Sequence, residues 1–200
     1  MNKTRLEAFS DAVIAILMTI MVLELKIPHG DGQADLNALK DLYPIFLAYV
    51  LSFIYLGIYW NNHHHMLQAT RKVDGKILWA NLHLLFWLSL VPFTTGWMGE
   101  NHFAPWPLAL YGVNLLLCAI SYTMLQIKIV RHEDGENELL AAAVGHDLKG
   151  KISLVFYLVA IPMAFVNQWV SGILYVLVAL IWFIPDRRIE KTLSQSTPRD

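Results

Sequence analysis

Apolar residues run almost without interruption through six stretches of this 200-residue chain, roughly 8–27, 43–67, 77–98, 107–129, 152–167 and 169–185. About 20 helical residues cross a hydrocarbon core of about 30 Å. Soluble domains of this size carry more charge and alternate apolar with polar positions. Here only 16% of residues are charged, 56% are hydrophobic and the mean hydropathy is +0.45. The expected fold class is therefore an all-α integral membrane protein with six transmembrane helices, spanning 1–186, followed by a short polar tail at 187–200.

The last two runs are the least regular. Pro162 interrupts the fifth, and the polar pair Asn167-Gln168, followed by Ser171 and Gly172, marks a turn before the sixth. The first run has the basic start of a signal peptide, but Glu7 and Asp11 stand where such a segment is acid-poor, and no small-residue cleavage site follows it.

Lys and Arg set the orientation. With both termini inside, 13 of the 15 Lys and Arg residues lie on the cytoplasmic side, and only Lys26 and Lys40 lie on the other. That split supports an even number of spans, and so six rather than five. It makes 132–149 a cytoplasmic loop and 28–38 an outer one, in a multi-pass protein of the inner (plasma) membrane. The glycosylation match at Asn2 then falls on the wrong side. Trp97, Trp106 and Trp169 fall near outer ends and fit an aromatic belt.

Several function classes are excluded or weakened. A net charge of −1 gives no basic field for nucleic acid. Cys118, the single cysteine, allows no intramolecular disulfide and reads as a small core residue. No nucleotide loop, zinc-protease helix, nucleophile elbow or T-V-G-Y-G filter is present. A chain this short with no soluble domain has little room for an enzyme site and suits one subunit of a pore or small carrier. No cofactor is expected.

Polar groups inside apolar runs carry the remaining signal. Helical period places Ala12, Ile16, Thr19 and Leu23 on one face of the first helix, modest in size with one hydroxyl. Glu7 and Asp11, four apart, lie on a neighbouring face. The second run ends in Trp60-Asn61-Asn62-His63-His64-His65. Adjacent helical positions point about 100° apart, so these histidines cannot converge on one ion without ligands from elsewhere, such as His83. They read instead as a polar cluster meeting Arg5, Glu7 or Asp11 at the same depth. Asn81 and the kink residue Pro92 mark the third run.

Read in order, these motifs resemble one family. Arg5, Phe9, Ser10 and Asp11 form the pattern R-x-x-x-F-S-D, continued by "AVIAILMTIMVLEL"; Trp60, His63 and His64 follow in the second helix, then Asn81 and Pro92 in the third. This is similar to the transmembrane protein 175 family, potassium channels of prokaryotes and of animal endolysosomes. The animal proteins carry two six-helix repeats, whereas this chain has one. The resemblance implies a homotetramer whose first helices line a central pore. Ile16 would form the constriction, Thr19 a hydroxyl ring, Leu23 a second apolar ring, and Ala12 part of the lining. Arg5, Phe9, Ser10, Asp11, Trp60, His63, His64 and Asn81 would form the motif and the network between helices. The permeant partner would be K+, with moderate preference over Na+, because apolar rings replace few lost waters. A small secondary transporter or proton-coupled carrier using Asp11, His63 and His64 is the alternative. A metal or haem protein using histidine ligands is a third class.

Overall fold

The computed structural model describes residues 2–27, 36–70, 73–132 and 148–183. The expected outer loop at 28–38, the loop at 132–149 and the tail at 187–200 lie, apart from their edges, outside the described residues. Among the described residues every regular element is helical: α1 (Lys3–Ile20), running into a 3-10 turn at Met21–Glu24; a 3-10 segment at Leu36–Leu42; α2 (Tyr43–Ala69); α3 (Gly75–Ser89); α4 (Val91–Glu100); α5 (Pro105–His132); α6 (Leu148–Val166); and α7 (Gln168–Phe183).

Local chemistry explains where the helices begin. Asn2 caps α1, its Oδ1 accepting from Thr4 N at 3.2 Å. α1 therefore starts five residues before the apolar run, and the polar stretch Arg5–Asp11 is helical. Asp74 caps α3 through Ile77 N at 2.8 Å. Asn167 is the single residue between α6 and α7, and its Oδ1 accepts from Trp169 N and Val170 N at 3.0 and 3.3 Å. The polar pair at this junction is thus divided: Asn167 is the cap and Gln168 opens the next helix. Pro162, expected to interrupt α6, does not end it; the helix continues to Val166 with the proline on its exposed side.

Among the described residues five segments are long and apolar enough to cross a membrane: Lys3–Glu24, Leu39–Gln68, Gly75–Glu100, Pro105–Val130 and Leu148–Val166. α7 is apolar but has 16 residues, about 24 Å of helix. Pro105 and Gln168 open α5 and α7 at one end of the bundle, where Trp106 and Trp169 stand exposed. α1, α3 and α6 begin at the opposite end, which carries Lys3, Arg5, Lys76, Lys128, Lys149 and Lys151. We refer to this as the basic end.

Packing divides into two cores that share α2, α4 and α5. In the first, Leu6, Ile14, Leu17 and Met21 of α1 and its turn meet Leu56 and Leu67 of α2, Leu84 and Leu88 of α3, and Cys118 and Leu125 of α5. In the second, Tyr55, Met98, Tyr111, Leu115, Tyr157 and Tyr175 bring α2, α4, α5, α6 and α7 together. Gly99 and Gly112 are among the glycines that make close approaches, as small residues do where helices pack in lipid. A Cβ at Gly99 would stand 2.7 Å from Ile45 Cα, and one at Gly112 would occupy the place of the Tyr175 hydroxyl. That hydroxyl donates to Leu108 O at 3.2 Å, while the Tyr55 hydroxyl donates to Tyr175 O at 2.6 Å.

The third span is broken at Leu90. Pro92 has no N–H, and its ring crowds the preceding turn, so α3 ends at Ser89 and α4 begins at Val91. Asn114 of α5 bridges the break. With its amide oriented to satisfy both partners, its nitrogen donates to Trp87 O at 3.0 Å and its oxygen accepts from Val91 N at 3.2 Å. A side-chain amide thus stands where one rung of the helical ladder is missing, which is how a membrane helix tolerates a proline.

Candidate functional site

α1 has two faces of opposite character. Leu6, Ser10, Ile14, Leu17 and Met21, spaced three or four apart, are buried. On the other side Ala12, Ile16, Thr19 and Leu23 are exposed, with Ile16 57% and Leu23 73% open. None of the described residues covers them. The Thr19 hydroxyl donates to Ile16 O at 2.9 Å. Its proton is committed to the backbone, so its lone pairs are what it offers outward.

The buried face is held by a directed chain of hydrogen bonds. Ser10 Oγ donates to Leu6 O at 2.9 Å; Asn81 Nδ2 donates to Ser10 Oγ at 2.9 Å; His63 Nε2 meets Asn81 Oδ1 at 2.7 Å. Since the Asn81 amide nitrogen is the donor to Ser10, its oxygen accepts, and this assigns the proton to His63 Nε2. His63 Nδ1 is buried with no partner among the described residues. α1, α2 and α3 are thereby joined at one depth. Hydrogen bonds between helices in a bilayer average about 0.6 kcal/mol and reach about 1.7; the larger cost lies in breaking the chain and leaving a buried group unpaired.

A second set of contacts lies toward the basic end. Trp60 Nε1 donates to Asp11 Oδ1 at 3.1 Å, and Lys3 Nζ donates to Gln68 O at 2.8 Å and lies 3.8 Å from Glu7 Oε1. The His64 ring stacks on Trp60 at 6.1 Å, and its Nε2 pairs with Gln68 Nε2 at 2.9 Å.

The structure therefore brings Ser10, Asp11, Trp60, His63 and Asn81 together, with His64 beside them. It does not bring in Arg5 or Phe9. Both are exposed and continue the stripe of Ala12, Ile16, Thr19 and Leu23 by steps of three and four. Their place on the helix explains this: 5, 9, 12 and 16 share one face, while 6, 10, 14 and 17 share the packed one. The three adjacent histidines take different surroundings: His63 faces α3, His64 faces Trp60 and Gln68, and the His65 ring lies edge-on to that of His64 at 5.7 Å. His83, on α3, accepts from Trp87 Nε1 at 3.1 Å. Among the described residues no three His, Cys, Asp or Glu side chains are placed to hold one metal ion.

Asn114 was not among the residues singled out from sequence, nor was the buried trio in which Thr95 Oγ1 donates to Ser52 Oγ at 2.7 Å and Ser52 meets the Tyr111 hydroxyl at 3.0 Å. The available signal was an asparagine in an apolar run together with a proline in the preceding one.

At the opposite end, Lys26 pairs with Glu100. That hydrogen bond and the nearby carboxylate charge raise the Lys26 pKa above its usual 10.5, so the ammonium stays charged through neutral pH.

Comparison with known proteins places this geometry among relatives. The family model described as "Endosomal/lysosomal potassium channel TMEM175" matches residues 5–92, which hold the whole hydrogen-bond chain from Ser10 to Asn81. A protein of Chryseobacterium sp. (strain P1-3) named as a potassium channel is 55% identical over 196 residues, covering 98% of this chain and all of that protein. One of Chamaesiphon minutus, also named as a potassium channel, is 30% identical over 86% of this chain and 90% of its own. The crystal structure of a lysosomal potassium-selective channel TMEM175 homolog from Chamaesiphon minutus superimposes with a TM-score of 0.79 at 27% identity, covering 91% of this chain and 96% of that one.

Proposed function

Since this chain belongs to the TMEM175 family, we propose that it is a potassium channel in which four copies bring their α1 stripes together around a central pore. The observation that carries this reading is the uncovered stripe of Ala12, Ile16, Thr19 and Leu23. A face of small and medium apolar side chains interrupted by one hydroxyl suits a narrow ion path better than a lipid surface, because the hydroxyl has a role there. Its opposite face is pinned to α2 and α3, so each copy would present it in a fixed orientation.

Each subunit crosses the membrane six times in this reading, with the 16-residue α7 as the last and shortest crossing and both termini at the basic, cytoplasmic end of the plasma membrane. Four Ile16 side chains form a dry neck at which an ion sheds much of its hydration. K+ releases water at lower cost than Na+, so the neck favours K+ moderately, with no carbonyl filter to sharpen the choice. Thr19 adds four oxygens one turn further along. Because each hydroxyl proton is held by Ile16 O, the ring presents acceptors to a cation.

The carrier alternative is weaker. It needs Asp11, His63 and His64 to bind the transported ion, yet each is engaged inside the subunit. The deciding experiment is reversal potential in proteoliposomes under opposed K+ and Na+ gradients. A channel current whose reversal potential follows the K+ gradient more closely than the Na+ gradient is expected. Slow, saturating, carrier-like uptake without resolvable currents would overturn the proposal.

A further inference from the structure

Away from α1, a hollow lies between α2, α5, α6 and α7 near the basic end. Its wall is strongly aromatic, with Tyr55, Tyr59, Tyr122, Tyr157 and Trp182 as its largest side chains. None of the described residues that line it carries a charged side chain. A second, shallower groove runs along α2 from Phe53 to Asn61 and past Phe183. The two adjoin at Ile58 and Trp182, which line both parts of the depression. Phe53 and Phe183, at its outer edge, are 40% and 68% exposed. They stand on membrane-crossing helices, so the groove opens toward the bilayer.

Charge is concentrated at one end. Gly150 lines the hollow, and its sequence neighbours are Lys149 and Lys151. Lys149 Nζ lies 6.0 Å from the centre of the Trp182 ring, the side chain common to both parts of the depression. Lys128 is exposed where α5 reaches the same end. The depression therefore has an apolar, aromatic length within the membrane and cationic groups where it meets the headgroup layer.

We propose that this depression is a binding site for an anionic phospholipid of the leaflet at the basic end, with one acyl chain in the groove and hollow and the headgroup phosphate against Lys149 and Lys151. Apolar burial holds the chain and screened attraction selects the headgroup, as basic pockets between membrane helices do. The site is independent of which ion the protein conducts, since it uses no residue of α1.

Contact quenching of Trp182 tests the proposal. The full chain is reconstituted in phosphatidylcholine vesicles containing a minor fraction of lipid brominated on the acyl chain, carrying either a phosphatidylglycerol or a phosphatidylcholine headgroup. The Trp182 signal is the difference between the chain and its Trp182→Phe variant. Preference for the brominated phosphatidylglycerol should reach about fivefold, the ratio that one lysine near an anionic surface supplies. The double variant Lys149→Gln, Lys151→Gln should bring the two lipids to parity, and Ala119→Leu, which fills the hollow, should remove quenching by both. Native mass spectrometry of the unaltered chain is the second measurement, free of any substitution; phosphatidylglycerol should be retained where phosphatidylcholine is lost. Equal quenching by the two lipids, or a preference that survives loss of both lysines, would overturn the proposal. So would a Trp182 reached by neither lipid, which would mean that a second copy or another segment of the chain fills the depression.

Discussion

Replacing Asn114 by Leu tests whether the broken third span depends on its neighbour. Leucine nearly conserves volume, so cavity formation is small and the loss is polar. Two backbone groups lose their side-chain partner, but unequally. Trp87 O still accepts from Leu90 N at 3.2 Å, whereas Val91 N–H loses the oxygen it donates to. The cost is therefore that of one buried unpaired donor, about 1–3 kcal/mol, and not twice that. Pro92 makes the test specific. In Pro92→Ala the ring clash is gone and the ladder can close, with Val91 N bonding Trp87 O directly. Asn114→Leu should then cost much less in the Pro92→Ala background than alone. Reversible unfolding of the four chains in mixed micelles gives the coupling directly. Additivity within about 0.5 kcal/mol, the figure for independent sites, would refute the argument that Asn114 substitutes for the missing rung.

Substitutions at four further positions probe the candidate site. Ile16→Asn should wet the neck, raising proteoliposome current and weakening discrimination between cations; unchanged conductance and selectivity would remove Ile16 from the constriction. Thr19→Val removes the hydroxyl at nearly constant volume and should move the reversal potential toward equal K+ and Na+ permeability, whereas an effect on expression alone would make Thr19 a packing residue. Asn81→Leu strands the His63 Nε2 donor and should lower stability by about 1–3 kcal/mol in the same mixed micelles. His63→Gln, which keeps an amide donor for Asn81 Oδ1, should be tolerated better than His63→Leu; equal losses for the two would show that ring packing and not the hydrogen bond holds α1.

Much of the fold was legible in the sequence because a membrane limits what an apolar run can do. The runs fall close to the observed helices, and a 3.6-residue period was enough to put Ala12, Ile16, Thr19 and Leu23 on one face. What was not legible depends on partners distant in the chain. The period places Arg5 and Phe9 with Ala12, but the motif they share with Ser10 and Asp11 grouped them with the buried network instead. The choice among three adjacent histidines needed the position of Asn81, 18 residues from His63. Asn114 acts on a break more than 20 residues earlier. Pro162 ended no helix although its residue type argued that it should, because a proline on the exposed side of a helix disturbs its neighbours least.

The hydroxyl groups have a consequence for how such a chain enters a membrane. Ser10, Thr19, Thr94, Ser121 and Thr123 each donate to a carbonyl three or four residues back in their own or the adjoining helix. These donors are satisfied before any neighbouring helix arrives, so a helix such as α1 can partition into lipid alone, as it leaves the translocation machinery, without an unpaired hydroxyl proton. The amides and imidazole lack that autonomy: His63, Asn81 and Asn114 find their partners only across helices. Assembly order follows from this division, with α2 waiting for α3, and the broken α3–α4 span incomplete until α5 has been synthesised.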